Sequence, residues 1–330
     1  MVRAALVFGT GSIGMRHLRT LGRLGIEAIA RPTRATRALD ADLAGVCVVS
    51  SLAEASRRGA DTVIVATNTG RHVADAGEAI RAGFHVLVEK PLAADARGLG
   101  DLARAADVAG RLVFVGCCMR FHAGLSAFRD KLPAIGDVHE VRIECQSFLP
   151  DWRPSTDLRA SYSARADEGG VLRDLIHEID YAVWLFGRPS RVTCRMGNTG
   201  RLGIEAEEWA DLTWETERAT VVTLRLDYLS RPSRRRMRAA GREGTLEVDL
   251  LAQKVTLAGP SGSESWDTPQ DRDDMMAAQA SAFFAAVERK PSGALASFED
   301  GAFAVALGDA ARASSRSGQA ESIVAWGGSP

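Results

Sequence analysis

The chain is short of lysine. Lysine and arginine together number 41 of 330 residues, yet only Lys90, Lys131, Lys254 and Lys290 are lysine, which leaves 37 arginines. In such a chain a lysine that only places surface charge is readily arginine instead, so each survivor is worth locating. Other absences narrow the class. No uninterrupted apolar run approaches the ~18 residues that span a bilayer. The opening MVRAALVFG lacks the long apolar stretch and small-residue cleavage site of a secretory signal, so no membrane and a cytoplasmic location are expected. The five cysteines contain no C-x-x-C pair, which argues against a zinc cluster, and no metal is expected. A formal net charge of −1 provides no basic field for nucleic acid.

What is present is ordinary globular composition, long enough for about two domains at roughly 100–200 residues each. The first third alternates short, nearly all-apolar β-branched runs with helical stretches. Residues 4–8, 26–30, 46–49, 62–66, 85–88 and 112–115 read as strands, and 13–24, 72–82 and 95–109 as helices followed by Gly25, Gly83 and Gly110. This alternation predicts an α/β fold with a doubly wound parallel sheet, in a dinucleotide-binding domain over 1–120. The pattern changes after Phe121. Helices are expected near 123–132 and 170–186, then longer strands at 138–148, 191–195, 205–215, 219–228, 234–241, 245–249 and 254–258. The turns Glu217-Arg218 and Arg242-Glu243-Gly244 suggest antiparallel pairing. Two tail helices, 273–289 and 298–315, precede a last strand near 322–326, and 260–269 reads as the most loop-like stretch. Residues 121–330 are thus expected to form a second domain.

Three motifs carry chemistry. Gly9-Thr10-Gly11-Ser12-Ile13-Gly14 follows an apolar strand and opens a helix. The first glycine permits the turn, the second lets a pyrophosphate approach, and the third lets helix and strand pack, with free N–H groups and the helix dipole holding phosphate. After the second strand, an acidic residue would read the ribose 2′-hydroxyl of NAD. Here stand Arg31-Pro32-Thr33-Arg34 instead, and Arg31 or Arg34 can hold the 2′-phosphate of NADP, so the cofactor is NAD or NADP with a lean toward NADP. The alternative is that Arg31 stacks on adenine and serves both.

Glu89-Lys90-Pro91 lies at the carboxyl end of the fifth strand, where doubly wound sheets bind ligands. Lys90 there can donate to a substrate hydroxyl and stabilise a developing alkoxide. The third motif is Gly169-Gly170 followed by Arg173, Asp174, His177 and Asp180. On one helix, residues three apart are offset by about 60°, which puts Asp174, His177 and Asp180 on one face. An imidazole flanked by carboxylates is a proton acceptor near neutral pH. A salt-bridged helix face is the plainer reading.

Together these residues resemble the glucose–fructose oxidoreductase, inositol dehydrogenase and rhizopine-catabolism family (Gfo/Idh/MocA). The resemblance extends to Ala66-Thr67-Asn68 with His72, to Val115-Gly116 through Arg120-Phe121-His122, and to Asp180-Tyr181 through Gly187. It implies an N-terminal Rossmann domain and a C-terminal α/β domain with a large open, mostly antiparallel sheet supporting homodimers or homotetramers. It also implies sugars, cyclitols or nucleotide-linked sugars as substrates. Lys90 matches the family's catalytic lysine, His177 its histidine, and Asp180 the acid three residues later. The usual aspartate four residues before the histidine is replaced by Arg173, with Asp174 one place on.

The expected enzyme is an NAD(P)-dependent dehydrogenase or reductase acting on CH–OH groups. Its catalytic set is Lys90, His177, Asp174 and Asp180. The cofactor set is Gly9, Gly11, Ser12, Ile13, Gly14, Arg31, Arg34, Thr67, Asn68, His72, Glu89, Lys90 and Arg120. Substrate would meet Lys90, Trp152, Tyr162, Arg165, Asp174 and His177, where the polar-aromatic segment before Gly169 can cover a sugar. Tyr162, Tyr181 and Tyr228 are the only tyrosines and none has a lysine four residues later, which excludes the Tyr-x-x-x-Lys arrangement of short-chain dehydrogenases. A non-catalytic dinucleotide sensor or scaffold, kept open by Arg173, and an enzyme using a retained nucleotide for internal redox are the rival readings.

Overall fold

The computed structural model describes residues 4–33, 39–152, 154 and 157–324. The chain forms two compact units, 1–121 with 271–302, and 122–270 with 303–330. The single boundary after residue 120 is therefore too simple. The segment 271–302, expected in the second domain, belongs to the first.

In the first unit, strands β1 (Ala4–Phe8), β2 (Glu27–Arg31), β3 (Cys47–Val48), β4 (Ala60–Val65), β5 (His85–Glu89) and β6 (Val113–Gly116) form one parallel sheet. The order is β6-β5-β4-β1-β2-β3, so the chain reverses direction of winding between β1 and β4. A seventh strand, β15 (Ala296–Ser297), adds antiparallel to β6. All five residues of β1 are buried, as a parallel strand covered on both faces requires. Helices α1 (Ser12–Arg23), α2 (Leu52–Arg57), α3 (His72–Arg81) and α4 (Leu99–Ala109) connect the strands.

Helix α8 (Arg272–Val287) completes this unit. Its Ala280, Phe283 and Phe284 join Met15, Leu18 and Leu21 of α1 in one apolar cluster, and Arg16–Asp273 and Arg23–Asp274 pair the two helices at their polar margins. A helix from late in the chain thus buries the apolar face that α1 would otherwise expose, a long-range closure that local periodicity cannot reveal.

The second unit is built on a nine-stranded sheet of order β14-β13-β12-β11-β7-β10-β9-β8-β16. Its strands are β7 (Val138–Phe148), β8 (Arg191–Gly197), β9 (Trp209–Glu215), β10 (Val221–Asp227), β11 (Leu229–Gly241), β12 (Thr245–Asp249), β13 (Lys254–Gly259), β14 (Gly262–Asp267) and β16 (Glu321–Ser322). Among the described residues of this sheet, only the β10–β7 pair is parallel. Alternation places Val141, Ile143, Leu212, Leu224, Met237 and Leu246 on a buried face. Helices α5 (Ala123–Lys131), α6 (Val171–Asp174), α7 (Ile176–Phe186) and the later part of α9 (Phe298–Ser317) belong to this unit.

Three local expectations change. The stretch 260–269 contains strand β14, paired residue for residue with β13. Five of its six residues are exposed, so an edge strand with no buried face shows no apolar alternation to read. The helix expected at 170–186 is two helices, α6 and α7, with Leu175 between them at φ −98°, ψ 27°. The last strand ends at Ser322, and residues 325–326 of the expected strand lie outside the described residues.

Candidate active site

The first unit carries the nucleotide-binding features. Gly9 has φ +105°, and a Cβ there would lie 2.6 Å from Ala66 O, so glycine is required on two counts. A Cβ at Gly14 would lie 1.9 Å from Gly9 O, which is the close helix–loop packing the third glycine permits. At Gly11 a Cβ would meet nothing within 4 Å. Gly11 is also the N-cap of α1 and supplies no side-chain cap. Open space beside uncapped helix N–H groups suits the phosphates of a dinucleotide. Ser12 is exposed and Ile13 half-buried at this turn, and Asn68 is exposed at the end of β4 with Thr67 half-buried before it.

Other expected cofactor residues are engaged within the protein. Arg31 stacks its guanidinium 4.1 Å from the Phe8 ring centroid and pairs with Glu78 at 2.9 Å. Arg34 lies outside the described residues. Arg120 is buried and pairs with Asp300 at 3.0 Å. His72 is buried on α3, with Nδ1 2.8 Å from Pro91 O and Nε2 3.1 Å from Thr67 O. Burial depresses its pKa, against the pull of those two carbonyls and the charges of Glu89 and Asp75, so the ring is neutral and donates one of the two bonds. With both nitrogens facing backbone, His72 braces two strand-end loops.

Lys90 follows β5, and the Lys90–Pro91 bond is cis. The preceding Glu89 is buried. One carboxylate oxygen lies 2.7 Å from His17 Nε2 and the other accepts the Lys90 backbone N–H at 3.2 Å. Burial alone would raise the Glu89 pKa. The hydrogen bond from His17, with the nearby Lys90 charge, outweighs burial and holds it below the usual carboxylate range. Glu89 therefore holds the lysine loop.

The second unit carries the histidine. His177, Asp174 and Asp180 are all buried. His177 and Asp180 share α7 three residues apart, on one face. Asp174 closes α6 on the other side of the Leu175 break, so the three do not lie on a continuous helix. Tyr228 donates its phenol to Asp174 Oδ2 at 2.7 Å. Burial first, then the Asp174 charge and hydrogen bond, push the Tyr228 pKa well above its ordinary value, so the phenol keeps its proton.

Arg173 donates through one nitrogen to Ala166 O and Gly169 O, both at 3.0 Å. It braces the turn before α6. That turn is tight. A Cβ at Gly169 would lie 2.4 Å from Tyr162 O, and one at Gly170 would lie 2.3 Å from the Glu207 carboxylate. Glu207 receives Arg312 at 3.0 Å. Trp152 is 41% exposed, donates to Ser147 Oγ at 2.9 Å and meets the Tyr228 ring edge-on at 5.5 Å. Tyr162 is half-buried, and Arg165 pairs with Glu168. Sequence reasoning missed His17, Tyr228 and Glu207.

A model of an oxidoreductase family with an NAD-binding Rossmann fold matches residues 3–117, and a GFO/IDH/MocA C-terminal domain model matches residues 133–247. The chain belongs to the GFO/IDH/MocA family. It is 31% identical over 189 residues to a myo-inositol dehydrogenase of Streptomyces leeuwenhoekii, covering 55% of each chain. It is 36% identical over 141 residues to a dTDP-3,4-didehydro-2,6-dideoxy-α-D-glucose 3-reductase of Streptomyces violaceoruber, covering 41% of this chain and 39% of that one. The matches thus span about half the length of these curated relatives or less. A levoglucosan dehydrogenase solved with NADH and levoglucosan shares the fold, with TM-score 0.86 over 98% of this chain and all of that one, at 17% identity. Among the described residues no helix is long and apolar enough to cross a membrane, and no group of three His, Cys, Asp or Glu is arranged to hold a metal.

Proposed function

We propose that this protein is an NAD(P)-dependent oxidoreductase acting on a carbinol carbon of a sugar, cyclitol or nucleotide-linked sugar. The observation that carries the reading is Lys90. It is one of four lysines, it stands at the carboxyl end of β5 in a unit with an intact glycine loop, and its backbone is held by a buried carboxylate.

When bound, the nicotinamide supplies the hydride acceptor or donor. Gly9, Gly11 and Gly14 shape the phosphate turn, and Ser12, Ile13, Thr67 and Asn68 line it. Lys90 presents its ammonium to the substrate oxygen and stabilises the charge that grows there as the carbinol is oxidised. His177 takes the hydroxyl proton in that direction and returns it in reduction. A buried acid, Asp180 or Asp174, fixes the imidazole tautomer. Trp152, Tyr162 and Arg165 contact the sugar. For NADP, Arg31 exchanges Glu78 for the 2′-phosphate. The enzyme acts in the cytoplasm as a homo-oligomer formed through the outer face of the nine-stranded sheet.

The test is absorbance near 340 nm on purified protein with NAD or NADP and a panel of inositols, free hexoses and nucleotide-linked hexoses. Turnover that falls by orders of magnitude in Lys90→Met, with cofactor binding kept, supports the reading. Near-normal turnover in Lys90→Met refutes the role of Lys90. Cofactor that binds but changes redox state with no sugar favours the sensor, the reading that Arg173 keeps open.

A further inference from the structure

We propose that His17, on the helix that follows the glycine loop, is a positioning residue for Lys90 and acts through Glu89. The proposal rests on the dehydrogenase reading above and adds a residue to it.

Every link lies within the first unit. His17 is fully buried on the second turn of α1. Its Nε2 lies 2.7 Å from Glu89 Oε1, while its Nδ1 makes no hydrogen bond among the described residues. The ring thus has one polar task. Glu89 uses its other oxygen to accept the N–H of Lys90 at 3.2 Å. One residue later, His72 of α3 meets the carbonyl of Pro91 at 2.8 Å. The backbone at Lys90 is therefore gripped on both sides by buried polar groups, one anchored on α1 and one on α3.

The neighbouring strand leaves room for this arrangement. A Cβ at Gly116 of β6 would lie 3.3 Å from the Glu89 carboxylate and 3.2 Å from its Cα. Stability alone does not account for the pair, because a buried polar pair is seldom better than apolar residues of the same volume, and α1 is already packed by Met15, Leu18 and Leu21. What the pair adds is geometry. The helix whose free end faces the cofactor phosphates is tied through two side chains to the peptide that carries the reacting lysine.

The scarcity of lysine supplies a direct readout. The full-length protein is acetylated with limiting acetic anhydride at fixed pH, and labelling of Lys90 is read by mass spectrometry against Lys131, Lys254 and Lys290. The variants are His17→Leu, which removes the donor, His17→Gln, which keeps one, and Glu89→Gln. The titratable groups that face the carboxylate are His17, His72 and Lys90 itself. Without His17 the carboxylate is stranded in the interior and takes up a proton, so Lys90 loses both its anionic neighbour and a firm acceptor for its N–H.

Lys90 labelling is expected to rise at least threefold in His17→Leu and Glu89→Gln, with the other three lysines unchanged, and to return toward the parent value in His17→Gln. With a turned-over sugar, kcat falls at least tenfold in His17→Leu while KM and the cofactor Kd change less than twofold. Lys90 labelling unchanged in a folded His17→Leu overturns the proposal. If no sugar is turned over, the dehydrogenase reading fails, and the labelling ratio still decides whether His17 positions Lys90.

Discussion

The phenol of Tyr228 donates to Asp174 Oδ2 at 2.7 Å, with both side chains buried. This bond bears on which acid serves His177. Asp174 accepts from Tyr228, between β10 and β11, through one oxygen, and the break at Leu175 separates it from His177. Asp180 shares α7 with His177. Tyr228→Phe should therefore act mainly on stability, costing about 1–3 kcal/mol in urea unfolding because a buried carboxylate loses a donor. Asp180→Asn should act on turnover, lowering kcat on the order of a hundredfold. If the two variants exchange these effects, Asp174 is the supporting acid.

The three glycines of the first loop separate folding from binding. Gly14→Ala drives a Cβ to 1.9 Å from Gly9 O, so the loop or helix must shift, and a loss of about 1–3 kcal/mol is expected. Gly11→Ala points its methyl into open space and should leave the melting temperature unchanged. Its effect belongs in cofactor affinity, where obstruction of the pyrophosphate should raise Kd roughly tenfold, equivalent to about 1.4 kcal/mol. Titration of NADH fluorescence beside thermal melts reads both. A Gly11→Ala protein that binds as the parent does would remove the phosphates from this turn.

Much of this architecture is legible in the residues, and the gaps have physical causes. The parallel strands announce themselves because both faces are buried, so β1 and β5 read as short apolar runs. The glycine loop and Lys90 are legible because backbone geometry and strand-end position demand particular residue types. Strand β14 is not legible, since a ladder on one edge needs no side-chain pattern. Helix α8 is visible as a helix, but its place beside α1 depends on contacts some 260 residues apart in sequence. His17 offered one signal, a lone imidazole beside Leu18 and Leu21 on the buried side of α1, which implies a buried partner. Nothing local names that partner as Glu89.

The same buried-histidine logic gives a pH prediction at His122. Its Nδ1 accepts the N–H of Gly124 at 3.0 Å, and burial, helped by the Arg235 charge, lowers its pKa to about 4. Above pH 6.5 the ring is neutral in folded and unfolded chains, and stability is unaffected. Between about 6.5 and about 4 the unfolded chain binds a proton that the folded chain refuses, so stability falls as pH falls, by up to about 3 kcal/mol. Below about 4 this slope ends. His122→Asn, which keeps an acceptor for Gly124, should flatten the dependence of urea stability on pH across that window. An unchanged slope in the variant would assign the acid sensitivity elsewhere.

Cofactor choice can be tested at Arg31. Its guanidinium is held by Glu78 at 2.9 Å over the Phe8 ring. If it reads the 2′-phosphate, Arg31→Ala should weaken NADP roughly tenfold, about 1.4 kcal/mol, and Glu78→Gln should tighten it by freeing the cation. NAD affinity should change little in either variant. Equal loss of both cofactors in Arg31→Ala would mean that it supports adenine instead.

The outer face of the nine-stranded sheet sets the terms of any assembly formed there. A groove of about 560 Å³ runs across it, lined by Arg142, Glu144, Asp211, Arg225, Arg236 and Glu247 among others. The charges pair along and across strands, Arg225 with Asp211 at 2.6 Å, Arg142 with Glu140 at 2.6 Å and Arg236 with Asp249 at 2.8 Å. Such a face has acid and base in close alternation, so two copies related by a twofold axis can match charge against charge. An interface of this kind depends on screening, and the Debye length shrinks from about 10 Å at 0.1 M salt to about 3 Å at 1 M. The mass measured by light scattering after gel filtration should therefore fall toward 35.3 kDa as sodium chloride rises to about 1 M. Arg225→Glu, which places two acids beside each other, should lower the assembled fraction already at low salt. A mass above one chain that is identical at both salt concentrations, and in the variant, would place the subunit interface on another surface.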